Sequence, residues 1–211
     1  YVKSGTGDAS LTIKNASVDA KTTQTYSSYA GVCVQSGAST TDSPNISLSV
    51  NGGSLTASAS EGNDGIQFYV GNSSASATTS LTVSENAIVD ARNGGISASG
   101  ISETLPTPKP TGENSSGIVF DGSTGTVYGN VTLDESLTIN EDETLTVPDG
   151  SSLNTNGNLT NNGTIINKGT LTGDVGGSGT VTPKITTDSL PNGTVDAEYK
   201  QTLTADGTAP I

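Results

Sequence analysis

Leu153–Gly176 reads LNTNGN, LTNNGT, IINKGT, LTGDVG, with Leu153, Leu159, Ile165 and Leu171 recurring every six residues. Gly157, Gly163 and Gly169 recur in step with them. A fixed short period with one apolar residue and one glycine per unit is the pattern of a solenoid, in which each unit touches only its neighbours. Stretched copies run back through Val131 (VTLDES), Leu137 (LTINEDET) and Leu145 (LTVPDGSS). The third position of these units passes from Leu133, Ile139 and Val147 to Thr155, Asn161 and Asn167. That change predicts an apolar row giving way to an Asn-rich turn row of stacked amides. The fifth-position glycines predict corners with a left-handed backbone.

Before residue 101 a longer repeat occurs in three copies, beginning at Ser10, Ile46 and Thr79. Aligned, they match Leu11/Leu48/Leu81 and Ile13/Val50/Val83 in a first strand, then Val18/Leu55/Val89 and Ala20/Ala57/Ala91 in a second. Gly31/Gly65/Gly95, followed by Val32, Ile66 or Ile96, open a third. Apolar residues at i and i+2 lie on one face of a strand, so each copy reads as one triangular coil of a parallel β-helix. The offsets between copies, 37 and then 33 residues, place the slack in loops. At Leu105–Asn114 the sequence LPTPKPTGEN has prolines at alternate positions, which favours an extended polyproline loop leaving the coil. Gly117, Ile118 and Phe120 are expected to resume the third-strand pattern. LPTPKPTG lacks the spacing and the following hydrophobic tail of a cell-wall sorting signal.

Composition narrows the function classes. The chain is 30% hydrophobic and 4% aromatic, poor for a globular core with a centre but adequate for stacked coils. A net charge of −13 disfavours nucleic acid and anionic membranes as partners. No apolar run is long enough to span a bilayer and no signal peptide is evident. The 211 residues include no Met, so they read as a processed or excised segment. The lone Cys33 excludes an intrachain disulfide and reads as a thiol buried in a strand. Absence of His removes Ser-His and Cys-His mechanisms, and with them the left-handed β-helix acyltransferases that the hexad suggests.

Residues 118–182, with GTVYGNVTL, ESLTINEDETLTVPDGSSL and NNGTIINKGTLTG, resemble the short β-helical repeats of large cell-surface proteins of gut-dwelling Gram-positive bacteria. Residues 10–100 are similar to carbohydrate-binding parallel β-helix repeats of such proteins, with SLTI…VDA…GI patterns. In some such relatives an acidic GDDGI-type turn binds calcium. Only Asn63-Asp64-Gly65-Ile66 matches it here, leaving Asp64 as the one calcium candidate. The tail, ITTDSLPNGTVDAEYKQTLTADGTAPI, resembles the opening strands of the immunoglobulin-like domain of bacterial adhesins. A β-sandwich needs about seven strands, so only a start of one is present.

The expected fold is therefore all-β, a right-handed parallel β-helix over residues 1–182 and a truncated immunoglobulin-like start over 183–211. The helix comprises long coils at 1–120, a Pro-rich loop at 105–114 and short units at 131–182. Handedness rests on the long, uneven coils and on the resemblance. The expected function is that of a non-enzymatic, extracellular module on a bacterial surface, adhesin-like, binding or displaying glycan. Its partners would be a host or dietary glycan or a host surface protein, with no nucleic acid, no membrane insertion and further domains on the C-terminal side. No cofactor is expected, with calcium at Asp64 the one candidate. A spacer without ligand is one alternative, and a polysaccharide lyase or hydrolase is another. Sugar sites use aromatic faces beside planar polar groups, which singles out Tyr26, Tyr29, Phe68 and Tyr69. Arg92 and Asp90 are expected to face solvent in a structural role, and Glu141-Asp142-Glu143 to form a solvated turn.

Overall fold

The computed structural model describes residues 1–5, 7–23, 30–37, 43–71, 77–101, 104–111, 114–185, 187, 189–196, 198–202 and 204–206. Among these the chain is all β, with no helix. The first region holds β1 (Val2–Ser4), β2 (Ala9–Lys21), β3 (Val32–Ser36), β4 (Asn45–Ser58), β5 (Ile66–Val70), β6 (Thr78–Ser84), β7 (Ala87–Ala91) and β8 (Ile96–Gly100). The second begins with β9 (Gly117–Asp121), β10 (Thr124–Tyr128), β11 (Asn130–Thr132), β12 (Leu137–Ile139), β13 (Thr144–Val147) and β14 (Ser152–Asn154). It continues through β15 (Leu159–Asn161), β16 (Thr164–Asn167), β17 (Thr170–Thr172), β18 (Val175–Gly176) and β19 (Thr180–Thr182). A short pair, β20 (Lys184–Ile185) and β21 (Ala205–Asp206), follows.

The first region stacks its repeats in parallel at the register the sequence implies. Leu11 lies opposite Leu48 and Leu48 opposite Leu81, while Val18, Leu55 and Val89 form a second row. Val32, Ile66 and Ile96 form a third in the four-stranded sheet β1-β3-β5-β8. The first and second strands of a repeat are not separate in the first two copies. They run on as β2 and β4, with the bend at Asn15 (φ 47°) and at Gly52 and Gly53 (φ 69° and 73°). A side chain at Gly53 would collide with the Ala16 backbone. In the third copy Glu85 and Asn86 take up the left-handed backbone (φ 56° and 61°) and divide β6 from β7.

The second region circulates through three sheets in fixed order. Strands β11, β14 and β17 form one, β12, β15 and β18 another, and β13, β16 and β19 join the nine-stranded sheet. Val131 therefore pairs with Leu153 and Leu153 with Leu171, three units apart. Leu137, Leu159 and Val175 form the next row, and Leu145, Ile165 and Val181 the third. Two sequence expectations are corrected here. Thr155, Asn161 and Asn167 are buried rather than in a turn row, and Asn161 and Asn167 continue the inward positions of Ile139 and Val147. Their neighbours are backbone groups of the next layer, not stacked amides: Asn161 Nδ2 donates to Thr180 O at 3.1 Å, and Thr155 Oγ1 donates to Asp174 O at 2.6 Å. The fifth-position glycines also differ among themselves. Gly157 has φ 74° with open space beside it, but at Gly163 a side chain would meet the Asn140 and Glu143 carbonyls. Close approach of backbone, not a left-handed turn, requires glycine at that position.

Chain direction reverses between the regions. Strands β2, β4, β7 and β9 run parallel, β9 and β10 form an antiparallel hairpin at Gly122-Ser123, and β10, β13, β16 and β19 run parallel again. Gly117–Asp121 continues the second-strand row through Ile88↔Ile118 and Val89↔Val119, so the expectation that it resumes the third is overturned. Val89 and Val119 belong to one buried cluster; Ile118 and Phe120, with Ile88 against them, belong to another. Since successive side chains point to opposite faces, the two cores lie on opposite sides of one continuous sheet. Phe120 fills the space left by its hairpin partner Gly125. Each buried Leu, Ile, Val or Phe in these rows contributes about 1.5–3 kcal/mol relative to exposure, an upper figure for real unfolded chains.

In the tail β20 and β21 pair antiparallel, Lys184 with Asp206 and Ile185 with Ala205. Tyr199 Oη donates to Pro191 O at 2.6 Å, while Leu190, Val195 and Tyr199 are exposed.

Candidate functional site

The four-stranded sheet has a buried inner face and a chemically distinct outer one. Val32, Val34 and Ser36, Ile66, Phe68 and Val70, and Ile96 and Ala98 point inward and are buried. Alternation then turns Cys33, Gln35, Gln67, Tyr69, Ser97 and Ser99 to the other face, where Cys33 and the Ser97 hydroxyl are nonetheless buried. Register aligns Lys3, Gln35, Tyr69 and Ser99 in one row and Cys33, Gln67 and Ser97 in the neighbouring one. Adjacent members of a row stand about 4.8 Å apart, one strand spacing.

Several side chains on this face hold one another. Tyr1 Oη donates to Gln35 Oε1. Gln67 Nε2 donates to Asp64 Oδ2 at 3.2 Å, and Cys33 Sγ donates to Gln67 Oε1 at 3.8 Å. The Gln67 amide is thereby fixed from both ends, its carbonyl toward Cys33 and its NH2 toward Asp64. Burial pushes the Cys33 thiol pKa up, Asp64 adds to the rise, and the N-terminal ammonium opposes it. The thiol is therefore kept as a neutral donor rather than a nucleophile.

Of the aromatic candidates, Tyr69 is half-buried on this outer face. Phe68 has 0% exposure in the core and offers no surface to a ligand. Its neighbour in sequence points the other way, which is the alternation of a strand. Tyr26 and Tyr29 lie outside the described residues. Asp64 is engaged by Gln67, and among the described residues no group of three or more His, Cys, Asp or Glu is placed to hold a metal ion. Sequence reading passed over Gln35, Gln67 and Tyr1. The signal was present in the aligned third strands, where VCVQ and IQFY place Gln and Tyr at matching outward positions.

A second cluster corrects two expectations. The Arg92 guanidinium lies 3.9 Å from the Phe120 ring centroid, with Nε 3.5 Å from Glu143 Oε2 and 3.7 Å from Asp90 Oδ1. Its side chain is 17% exposed, so it is enclosed rather than solvated. Glu143 is 7% exposed and accepts from Asn140 N at 2.9 Å and Asn140 Nδ2 at 2.8 Å. Glu141 and Asp142 are exposed as expected, whereas Glu143 folds inward to close its own turn. A cation flattened on an aromatic ring and flanked by two carboxylates is held in place by both attractions. This cluster ties the end of β7 to the turn before β13, across the boundary between the regions.

No family model, curated protein or solved structure matches this chain.

Proposed function

We propose that the protein is a non-enzymatic, extracellular surface module of a bacterium that binds glycan on the outer face of its four-stranded sheet. One observation carries the reading: a half-buried Tyr69 beside the planar amides of Gln35 and Gln67, the latter oriented by Asp64 and Cys33. An aromatic face covers the CH side of a sugar ring, while amides both donate to and accept from its hydroxyls. Pre-set amides lose little freedom on binding. The scaffold in this reading is a right-handed parallel β-helix, supported by repeats that pair in parallel at a constant register and by the fixed order of sheets in the second region. Residues 183–211 are read as the start of an immunoglobulin-like domain, on their SLP-x-GTV spacing. The partner class is a host or dietary glycan.

A glycan array of the full chain, with calcium and with chelator, tests this. Wild type is expected to bind a defined set of glycans in both conditions, since Asp64 is taken up by Gln67. Tyr69→Ala is expected to weaken the strongest of them about tenfold. An array without any bound glycan would sink the reading and leave a ligand-free stalk. Unchanged binding by Tyr69→Ala would remove this face as the site.

A further inference from the structure

A cavity of about 200 Å3 lies between the Pro-rich segment and the β9–β10 hairpin. Its floor follows from the pairing of Val119 with Thr126 and Asp121 with Thr124. Alternation then places Thr124, Thr126 and Tyr128 on one face, beside Val119 and Asp121. Its roof is Pro108 and Pro110, both buried, with exposed Lys109 between them. Leu105 anchors the roof, at 8% exposure in the first core, with its N donating to Ala98 O at 3.3 Å. Thr79 Oγ1 adds a bond to Pro106 O at 3.0 Å. Proline rings fix the backbone of such a strap, so the space is preformed.

The lining decides what fits. A void left at the end of an apolar core is lined by apolar groups and stays dry. Here proline rings and the side chains of Ile96 and Val119 make up most of the wall, and three hydroxyls, a carboxylate and an ammonium stand at its border, a mixture that suits the CH face and hydroxyl rim of a sugar ring. At about 30 Å3 per molecule it has room for roughly seven waters, which a polyhydroxylated guest displaces while keeping their hydrogen bonds. The volume falls below the roughly 300 Å3 at which drug-sized ligands begin, so the guest is a single ring. One Lys facing one Asp gives no net charge for an anion such as phosphate. Burial raises the Tyr128 pKa, opposed by a hydrogen bond from Thr126 and reinforced by Asp121, so the phenol remains a proton donor well above neutral pH.

We infer that this cavity is a second glycan subsite that takes one neutral pyranose ring, separate from the Tyr69 face. It rests on the glycan-binding reading above for its source of ligand, but not for its chemistry. The test is a titration of the 15N-labelled full chain with D-glucose, D-galactose, D-mannose and N-acetylglucosamine, each up to about 100 mM, the range of millimolar and weaker affinities. At least one sugar is expected to shift the amides of Ile96, Val119, Asp121 and Thr124–Tyr128 saturably. Thr126→Val, which keeps the shape of the side chain, is expected to weaken that binding about fivefold to tenfold. Tyr128→Phe serves as a second variant with the same expected direction, and the shifts of these cavity amides are read separately from any at the Tyr69 face. No saturable shift of these amides by any of the four sugars overturns the inference, whatever the array shows. Equal affinities in wild type, Thr126→Val and Tyr128→Phe overturn it as well. A silent array with a responding cavity would instead remove only the Tyr69 face.

Discussion

The strands before Gly100 and those after Gly117 are built on the same ladders of matched apolar residues, yet their outward positions and connections differ. In the first region β3 and β5 present Gln35, Gln67 and Tyr69, and long connections run from Lys21 to Val32, Ser36 to Asn45 and Val70 to Thr78. In the second region one outward row of the nine-stranded sheet repeats a single residue, Thr124↔Thr144↔Thr164↔Thr180, and the next, Thr126↔Thr146↔Ile166↔Thr182, departs from it only at Ile166. Connections there shrink to two residues, as between Asn161 and Thr164 or Asn167 and Thr170. Stacked threonines favour the strand and pair with their neighbours across it, but they offer one chemical group over and over. Varied outward residues and long surface connections are where recognition is usually built. The difference separates a region with chemically varied outward rows from one whose layers beyond the β9–β10 hairpin are uniform, their cores on opposite faces of one sheet.

If the cores are separate, damage to one should remain local. Leu55→Ala and Leu145→Ala, each replacing a side chain with 0% exposure, are expected to cost about 3–4 kcal/mol apiece by denaturant unfolding. Hydrogen exchange should then rise in β2, β4 and β7 for the first variant and in β13 and β16 for the second. Uniform loss of protection over the whole chain in both variants would show one cooperative core and break the comparison. A smaller contrast sharpens the account of the second region. Gly163→Ala drives a Cβ into two backbone carbonyls and is expected to cost about 3 kcal/mol. Gly157→Ala, with open space but a left-handed backbone, is expected to cost about 1 kcal/mol. Equal losses in thermal or denaturant unfolding would mean that both glycines serve the same turn.

Registers were legible in the sequence because period and burial act together. Leu11/Leu48/Leu81 and Val32/Ile66/Ile96 could be aligned from i, i+2 patterns alone, and they pair as aligned. The hexads could be found but not their circuit, since nothing in one unit states that its partner is the third one on. The reversal at Gly122-Ser123 was hidden for a physical reason. GIVFDGSTGTVY alternates like any strand pair, and all four side chains from Ile118 to Phe120 and Val127 are apolar whichever core they serve. Arg92 and Glu143 were misread as solvated because charge in a sequence argues for exposure, while their burial comes from Phe120 and from partners far along the chain. Of the candidate site, the aromatic signal led to Tyr69 but also to Phe68, its inward neighbour. Gln35 and Gln67 carry no signal until alternation is assigned.

On the proposed function, the main glycan site is the outer face of the first region's sheet. Chemical-shift mapping of the full chain with the strongest glycan from the array tests it most directly. The amides of Gln35, Gln67, Tyr69 and Ser99 are expected to shift together, with those of β13 and β16 unmoved. Shifts confined to the threonine rows of β13, β16 and β19, with the Tyr69 row unmoved, would contradict it.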